Sequence, residues 1–504
     1  MRDDQAQLKQ ESLIFERGSA GRVGYTLPKL DVPAIDPEDV WGADSVRAPI
    51  EGFPEVSEVD VVRHFTRISQ HNFGLESGLF PLGSCTMKYN PKVHEIVVRN
   101  LGFAAAHPYM PASIVQGALE LMRRLEVALA AVSGMDRVTL QPAAGAQGEL
   151  TGIMMIAAYH ASRGDTRRRT VLIPDSAHGT NPATASFCGF DPVEIPSNSR
   201  GTIDIEALRA ATDDTTAALM LTNPNTLGLF EDQMEEIAAI MHGCGAQIYC
   251  DGANLNAILG KARPGDFGID AFHINLHKTF TTPHGGGGPG GGPVGVRQHL
   301  VPFLPRPTVE TDADSGASYL DWDRPDSIGK VHAFYGNFGI MVRAYTYIRA
   351  LGAVGLRQVA EDAVLNANYI QARLKDCYHL PQDRLCMHEV VFSDRRQKRH
   401  DVSAMDICKR LMDYGYHPPT VYFPLVVSGA LMIEPTETVS REDLDDFVDA
   451  MVAIAREAES DPERVRSAPH STFLSRLDEA RAARKPVLRW DPELAEETPA
   501  IEAR

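Results

Sequence analysis

Residues 246–278 read AQIYCDGANLNAILGKARPGDFGIDAFHINLHK. Two short β-rich runs, AQIYCDGAN (246–254) and DAFHINLHK (270–278), each end in polar residues and are separated by a turn-rich segment. The same rhythm recurs upstream in TVLIPD (170–175) and AALMLTNPN (217–225). Between these runs, ELTGIMMIAAYHASRG (149–164) and EEIAAIMHGCG (235–245) carry apolar residues at helical spacing. Strands that alternate with helices build a mostly parallel sheet covered on both faces, an α/β fold. Such sheets bind ligands at the carboxyl ends of their strands, and the polar residues of these runs sit there.

Further out, residues 113–133 predict a helix ended by Gly134, and YGNFGIMVRAYTYIRALG (335–352) predicts another. The expected organisation is an extended arm over 1–55, a helical segment over 56–135 and a large domain over 136–345. A smaller C-terminal α/β domain over 346–465 and a charged arm over 466–504 follow. No internal repeat is present.

The chain has 504 residues, 43% hydrophobic and 23% charged, an ordinary globular mixture with ample material for a large core. Lys and Arg number 49 against 67 Asp and Glu, a net charge of −18. That balance argues against nucleic acid or an anionic membrane as the main partner. The seven cysteines show no C-x-x-C pair, which fits a reducing compartment. No signal peptide or membrane span is legible, so a cytoplasmic location is expected.

Lys278, in His277-Lys278-Thr279, closes an apolar run. Alone it reads first as a surface lysine at a strand end, and only second as an amine nucleophile that forms a Schiff base with a carbonyl. Asp251 ends the preceding strand unit, 27 residues upstream. A carboxylate there suits the ring nitrogen of pyridoxal phosphate, although an Asp before Gly is also a common turn residue. Ala143-Ala144-Gly145-Ala146-Gln147-Gly148 opens the 149–164 helix, and small residues there let a phosphate approach the backbone N–H groups. His178, in DSAHGTNPATAS, is a stacking imidazole or a loop histidine. Asn223, in LTNPNTLG, is a donor to the cofactor's phenolic oxygen or an Asn-Pro turn. The run GGGGPGGGP (285–293) reads as a backbone-lined wall near the site. Cys85 has Lys88 three residues on, a cation able to lower a thiol pKa, though an unreactive buried thiol is the simpler reading. No metal-ligand spacing is present.

These stretches resemble the pyridoxal-phosphate-bearing subunit 2 of the two-subunit glycine dehydrogenase (decarboxylating), the P-protein of the glycine cleavage system. The resemblance rests on PLGSCTMKYNPK (81–92), LQPAAGAQGELTG (140–152), IPDSAHGTNPATAS (173–186), TNPNTLGLFE (222–231), YCDGANLNAI (249–258) and INLHKTFTTPHGGGGPGGGPVGV (274–296). YGNFGIMVRAYTYIRALG (335–352) and LDEARAARKPVLRW (477–490) extend it almost to the end. It implies a fold-type I pyridoxal-phosphate enzyme, with Lys278 as the cofactor lysine, His178 stacked on the ring and Asp251 at the pyridine nitrogen. It also implies glycine as substrate, a homologous subunit 1 in an α2β2 tetramer, and a lipoylated H-protein that accepts the aminomethyl group. Proton transfer stays open among His277, His178 and Lys278. The rival readings are another fold-type I enzyme, such as an aminotransferase or amino-acid decarboxylase, and a non-catalytic structural subunit.

Overall fold

The computed structural model describes residues 11–48, 50, 52–284 and 290–491. The chain divides into two compact units. The first comprises Met1–Phe73 and Ala468–Arg504. Its Glu58–Ser69 helix starts at Ser57, whose hydroxyl accepts the Asp60 N–H while Asp60 reaches back, a capping box. Within this unit Glu11 accepts from Arg67 (2.7 Å) and His64 (3.1 Å), and Phe15 stacks on Trp490 at 5.1 Å.

The second unit, Gly74–Ser467, holds a seven-stranded sheet. Its strands are β1 (Arg137–Thr139), β2 (Thr170–Pro174), β3 (Asp191–Ile195), β4 (Thr216–Thr222), β5 (Gln247–Gly252), β6 (Ala271–Ile274) and β7 (Val294–Val296). They lie in the order β1-β7-β6-β5-β4-β2-β3, parallel from β3 through β6, with β7 antiparallel to both of its neighbours, β6 and β1. Every residue of β4, β5 and β6 is buried, as strands covered on both faces require. The ladder aligns Thr222 with Asp251 and Asp251 with His273, three polar side chains in one row at the carboxyl edge.

The Gly145–Ser162 helix packs directly on β5. A Cβ at Gly152 would lie 2.7 Å from the Tyr249 ring, so only glycine lets the helix come this close. The 113–133 helix runs over Gln116–Ser133 and stops at Gly134, whose φ of 72° is the left-handed conformation glycine favours. The helix predicted over 335–352 spans Phe338–Leu374, broken at Gly352 (φ 61°, ψ −173°).

A hairpin of β8 (Thr308–Thr311) and β9 (Ser318–Asp321) follows. A second sheet of β10 (Val390–Ser393), β11 (Thr420–Val421) and β12 (Ala430–Ile433) is antiparallel, in the order β10-β12-β11. Its core joins Phe392 and Leu431 to Ile370, Ile407 and Phe447 from the helices that cover it. Among the described residues no helix is long and apolar enough to cross a membrane.

One local expectation is corrected. DAFHINLHK is not a strand to its end: β6 stops at Ile274 and Leu276–Thr279 forms a turn of helix. Asn275 reverses the chain, its carbonyl accepting the N–H of Lys278 (3.1 Å) and Thr279 (3.2 Å). Lys278 therefore projects from a helical turn just beyond the sheet.

Candidate active site

The site is built on the carboxyl edge of β2, β4, β5 and β6. Lys278 Nζ donates to the Ser84 carbonyl at 2.8 Å, so the amine is held by a loop remote in sequence. Asp251, 4% exposed, accepts the Ala253 N–H at 2.8 Å and lies 3.4 Å from His273 Nε2. His273 is fully enclosed, and its Nδ1 meets the Tyr249 hydroxyl at 2.5 Å. Burial lowers its pKa against the opposing pull of Asp251.

His178 lies in the loop after β2. Its Nδ1 accepts the Thr180 N–H (3.3 Å) and pairs with the Thr180 hydroxyl (2.9 Å), which donates to Glu149 (2.8 Å). With Nδ1 accepting, the neutral ring carries its proton on Nε2. Burial lowers the pKa of His178, Asp251 pulls it upward and Lys278 pushes it further down. Glu149 is pushed up to about 7, chiefly by burial, with the Asp251 charge adding to it.

His277 is pushed down to about 4 by burial and by the adjacent Lys278 ammonium. It is thus neutral at physiological pH, and its Nδ1 accepts the Gly291 N–H at 3.4 Å. Residues 285–289 of the glycine run lie outside the described residues. Gly290–Pro293 form a wall: the Gly292 N–H donates to the Pro142 carbonyl (2.9 Å), and the Gly290 carbonyl accepts from Asn337 (2.8 Å).

Ala144, Gly145 and Ala146 stand at the start of the Gly145–Ser162 helix, whose N-cap residue Ala144 makes no side-chain cap. The first N–H groups of a helix have no partner within it, so this terminus suits an anion. A Cβ at Gly145 would lie 2.8 Å from Asn275 Oδ1, a buried oxygen with no hydrogen-bond partner. The Thr222, Thr279 and Thr282 hydroxyls and both ends of the Asn181 amide are buried and unpartnered too. Asn223 is differently engaged: its Oδ1 accepts the Glu231 N–H (3.0 Å) and its Nδ2 donates to the Glu231 carbonyl (3.4 Å), which closes the turn after β4.

The loop PLGSCTMK (81–88) is the part that reading by residue type missed. Leu82 bridges to Ile433, the Gly83 carbonyl accepts from the Thr420 hydroxyl (2.7 Å), and the Ser84 N–H donates to Glu389 (2.9 Å). The second sheet thus clamps the loop that receives Lys278. Lys88 does not act on Cys85. It is fully buried and bonded to Glu437 (2.6 Å), Asn256 (2.6 Å) and the Thr279 carbonyl (3.0 Å). Burial raises the Cys85 thiol pKa, which leaves it a poor nucleophile although Lys278 pulls the other way. The buried Lys278-facing carboxyls Glu389 and Glu434 carried no motif; only their place beside β10 and β12 brings them to the site.

This donor set fits pyridoxal phosphate: an amine on a strand-end turn, an enclosed carboxylate, a fixed imidazole and an open helix N-terminus beside a glycine wall. Comparison with known proteins agrees on the fold. An aminotransferase class-V family model matches residues 151–288, and a model of the glycine dehydrogenase C-terminal domain matches 359–473. A solved glycine decarboxylase (P-protein) of the glycine cleavage system, in inhibitor-bound form, superposes with a TM-score of 0.70. That match covers 84% of this chain and 95% of the other at 20% identity. A Burkholderia pseudomallei sphingosine-1-phosphate lyase gives 0.60 at 15% identity, over 85% and 97% of the two chains. The fold is therefore that of the fold-type I pyridoxal-phosphate enzymes. Among sequence relatives, a probable glycine dehydrogenase (decarboxylating) subunit 2 of Bacillus velezensis is 58% identical over 96% of this chain and 98% of its own. The Listeria innocua counterpart is 57% identical over 96% and 98%. Identity at that level, sustained along nearly the whole length of both chains, means that the chain belongs to the glycine dehydrogenase (decarboxylating) subunit 2 family.

Proposed function

We propose that the protein decarboxylates glycine with pyridoxal 5'-phosphate held on Lys278 and passes the remaining aminomethyl group to the lipoyl arm of an H-protein. It works with a homologous subunit 1 in an α2β2 assembly. The observation that carries the reading is the convergence of Lys278, Asp251 and His178 at one sheet edge, in a chain whose full-length relatives bear that name. In this reading the catalytic division is a large domain over 136–345 and a small one over 346–465.

Pyridoxal phosphate, when bound, supplies an electron sink for the carbanion left as CO2 departs. The chain's own residues do the rest. Lys278 Nζ would hold the cofactor by its carbonyl carbon, and the Ser84 carbonyl orients that amine. Asp251, its geometry fixed by the Ala253 N–H and by His273, would keep the ring nitrogen protonated. His178, with its ring set by Thr180, provides the stacking face. Ala144, Gly145 and Ala146 take the phosphate at the helix N-terminus. His277, uncharged at physiological pH and with its Nδ1 accepting the Gly291 N–H, carries a proton on Nε2 and can offer it as a hydrogen-bond donor. Asn223 serves by closing the turn between β4 and the following helix.

The test is exchange of labelled bicarbonate into the carboxyl group of glycine, with subunit 1 and a lipoylated H-protein present. The account expects exchange that depends on glycine, on the cofactor and on the lipoyl group. Exchange of amino groups with a 2-oxo acid, with no need for a lipoyl protein, would replace it with a transaminase.

A further inference from the structure

Three fully buried side chains meet beside Lys278 with no task in the scheme above. His388, Glu389 and Glu434 are each 0% exposed, and one polar atom of each lies within 4.8 Å of the others. Glu389 Oε2 accepts the Ser84 N–H at 2.9 Å, and the carbonyl of that same Ser84 accepts from Lys278 Nζ. Ser84 has φ 63°, a left-handed conformation uncommon for a non-glycine residue, so Glu389 fastens a strained residue that aims the lysine. Glu389 Oε1 also faces Asn254 Nδ2 at 3.5 Å, in the turn after Asp251. Glu434 differs: neither of its oxygens has a well-formed hydrogen bond, Thr86 being the hydroxyl beside it. Both ring nitrogens of His388 are likewise unpartnered, and Nε2 lies 3.8 Å from Glu434 Oε1.

Two carboxylates this close, both fully buried, repel each other and forfeit their hydration, so the stable arrangement keeps a proton on one of them. The charged groups around them are Lys278 beyond β6 and Lys88 on the 81–88 loop, and Lys88 is already bonded to Glu437. His388, enclosed and facing both lysines, is driven to its neutral form. Glu389, with the Ser84 N–H, is better furnished to stay ionised than Glu434.

We propose that Glu389 and Glu434 share a single proton and act as one unit opposite Lys278, with Glu434 a neutral acid and Glu389 the counter-charge that positions the amine. Both are positioning residues, Glu389 acting through Ser84. Burial raises the pKa of each, and Glu434 is raised further because it faces Glu389. The proposal rests on Lys278 being the cofactor lysine, and its test separates the two ideas.

The first readout is infrared difference spectroscopy on the cofactor-free full-length protein. The expected result is a carboxylic-acid carbonyl band that persists at mildly alkaline pH and is lost in Glu434→Gln. The second is the pH midpoint of pyridoxal phosphate capture, read from the visible band that borohydride abolishes. Loss of the negative charge in Glu389→Gln frees the amine at lower pH and moves the midpoint down by about one unit. Glu434→Gln exchanges one neutral group for another and moves it less. Absence of the acid band in the wild type, or its survival unchanged in Glu434→Gln, would overturn the proposal, and that measurement stands even where Glu389→Gln does not fold. Equal midpoint shifts in the two variants would overturn it as well. So would a stoichiometric divalent metal, found by elemental analysis and lost in Glu434→Gln. A wild-type protein that shows the acid band but attaches no cofactor at Lys278 would sink the functional reading and leave the carboxyl pair intact.

Discussion

Replacing Lys88 with Met removes a cation enclosed with Glu437 at the end of the 81–88 loop that receives Lys278. In the wild type, Lys88 Nζ contacts Glu437 Oε1 (2.6 Å), Asn256 Oδ1 (2.6 Å), the Thr279 carbonyl (3.0 Å) and the Tyr347 hydroxyl (3.3 Å). Methionine fills similar space but donates to none of them. An 8% exposed Glu437 carboxylate is then left with the Asn256 amide (3.2 Å) and the Tyr347 hydroxyl (3.3 Å) alone. Breaking a buried pair from one side costs about 3–5 kcal/mol, because the surviving charge has lost its compensation. Glu437→Gln strands the lysine instead, at a similar cost. The double variant Lys88→Met/Glu437→Gln strands neither, so its loss falls short of the sum of the singles by about 1–3 kcal/mol. Equilibrium urea unfolding of the four proteins, followed by near-ultraviolet circular dichroism, supplies the cycle. A Lys88→Met loss below about 1 kcal/mol, or strict additivity, would refute the reasoning, since an exposed pair behaves that way.

Three further outcomes follow from the same geometry. In Gly292→Ala the new Cβ lies 2.1 Å from the Ala144 backbone carbonyl, so the helix N-terminus must shift; pyridoxal phosphate affinity, measured by absorption titration, falls by about tenfold or more. Asp251→Ala leaves the lysine free to attach cofactor but removes the group that keeps the ring nitrogen protonated. Labelled-bicarbonate exchange then drops on the order of 100-fold or more while the borohydride-sensitive band survives. Glu126, fully buried near Arg123 and Arg137, is pushed up to about 8 by burial. Its folded pKa exceeds its unfolded one, so its contribution is full below about pH 4.5 and fades as pH rises toward 8. Glu126→Gln should therefore flatten the fall in urea stability across that window and gain most, up to about 5 kcal/mol, at its alkaline end.

The sheet was legible because its central strands are buried on both faces and announce themselves as unbroken apolar runs. LML in β4 and IYC in β5 needed no tertiary information, and the polar residue closing each run marked the edge where ligands bind. The position of Lys278 was harder to read. HINLHK looks like continued strand, and only the Asn275 carbonyl and the neighbouring glycine wall convert its end to a helical turn. The partner of Lys88 was not legible: three-residue proximity to Cys85 is a local cue, whereas the lysine is held by Glu437, which is 349 residues away in the chain. Long-range clamps of this kind leave no spacing signature. The same holds for Glu389 and Glu434, which reach the site only because two strands of the second sheet deliver them to Ser84. His273 was overlooked inside a strand, though its alternation with Asn275 placed both on one face.

The central claim is that Lys278 carries the cofactor. The most direct measurement is borohydride reduction of the full-length protein loaded with pyridoxal phosphate, followed by peptide mapping. The account predicts a yellow band that reduction abolishes, with the pyridoxyl group on Lys278 and no band in Lys278→Ala. A pyridoxyl group on another lysine, or a protein that stays colourless with cofactor and partner subunit both supplied, would contradict it.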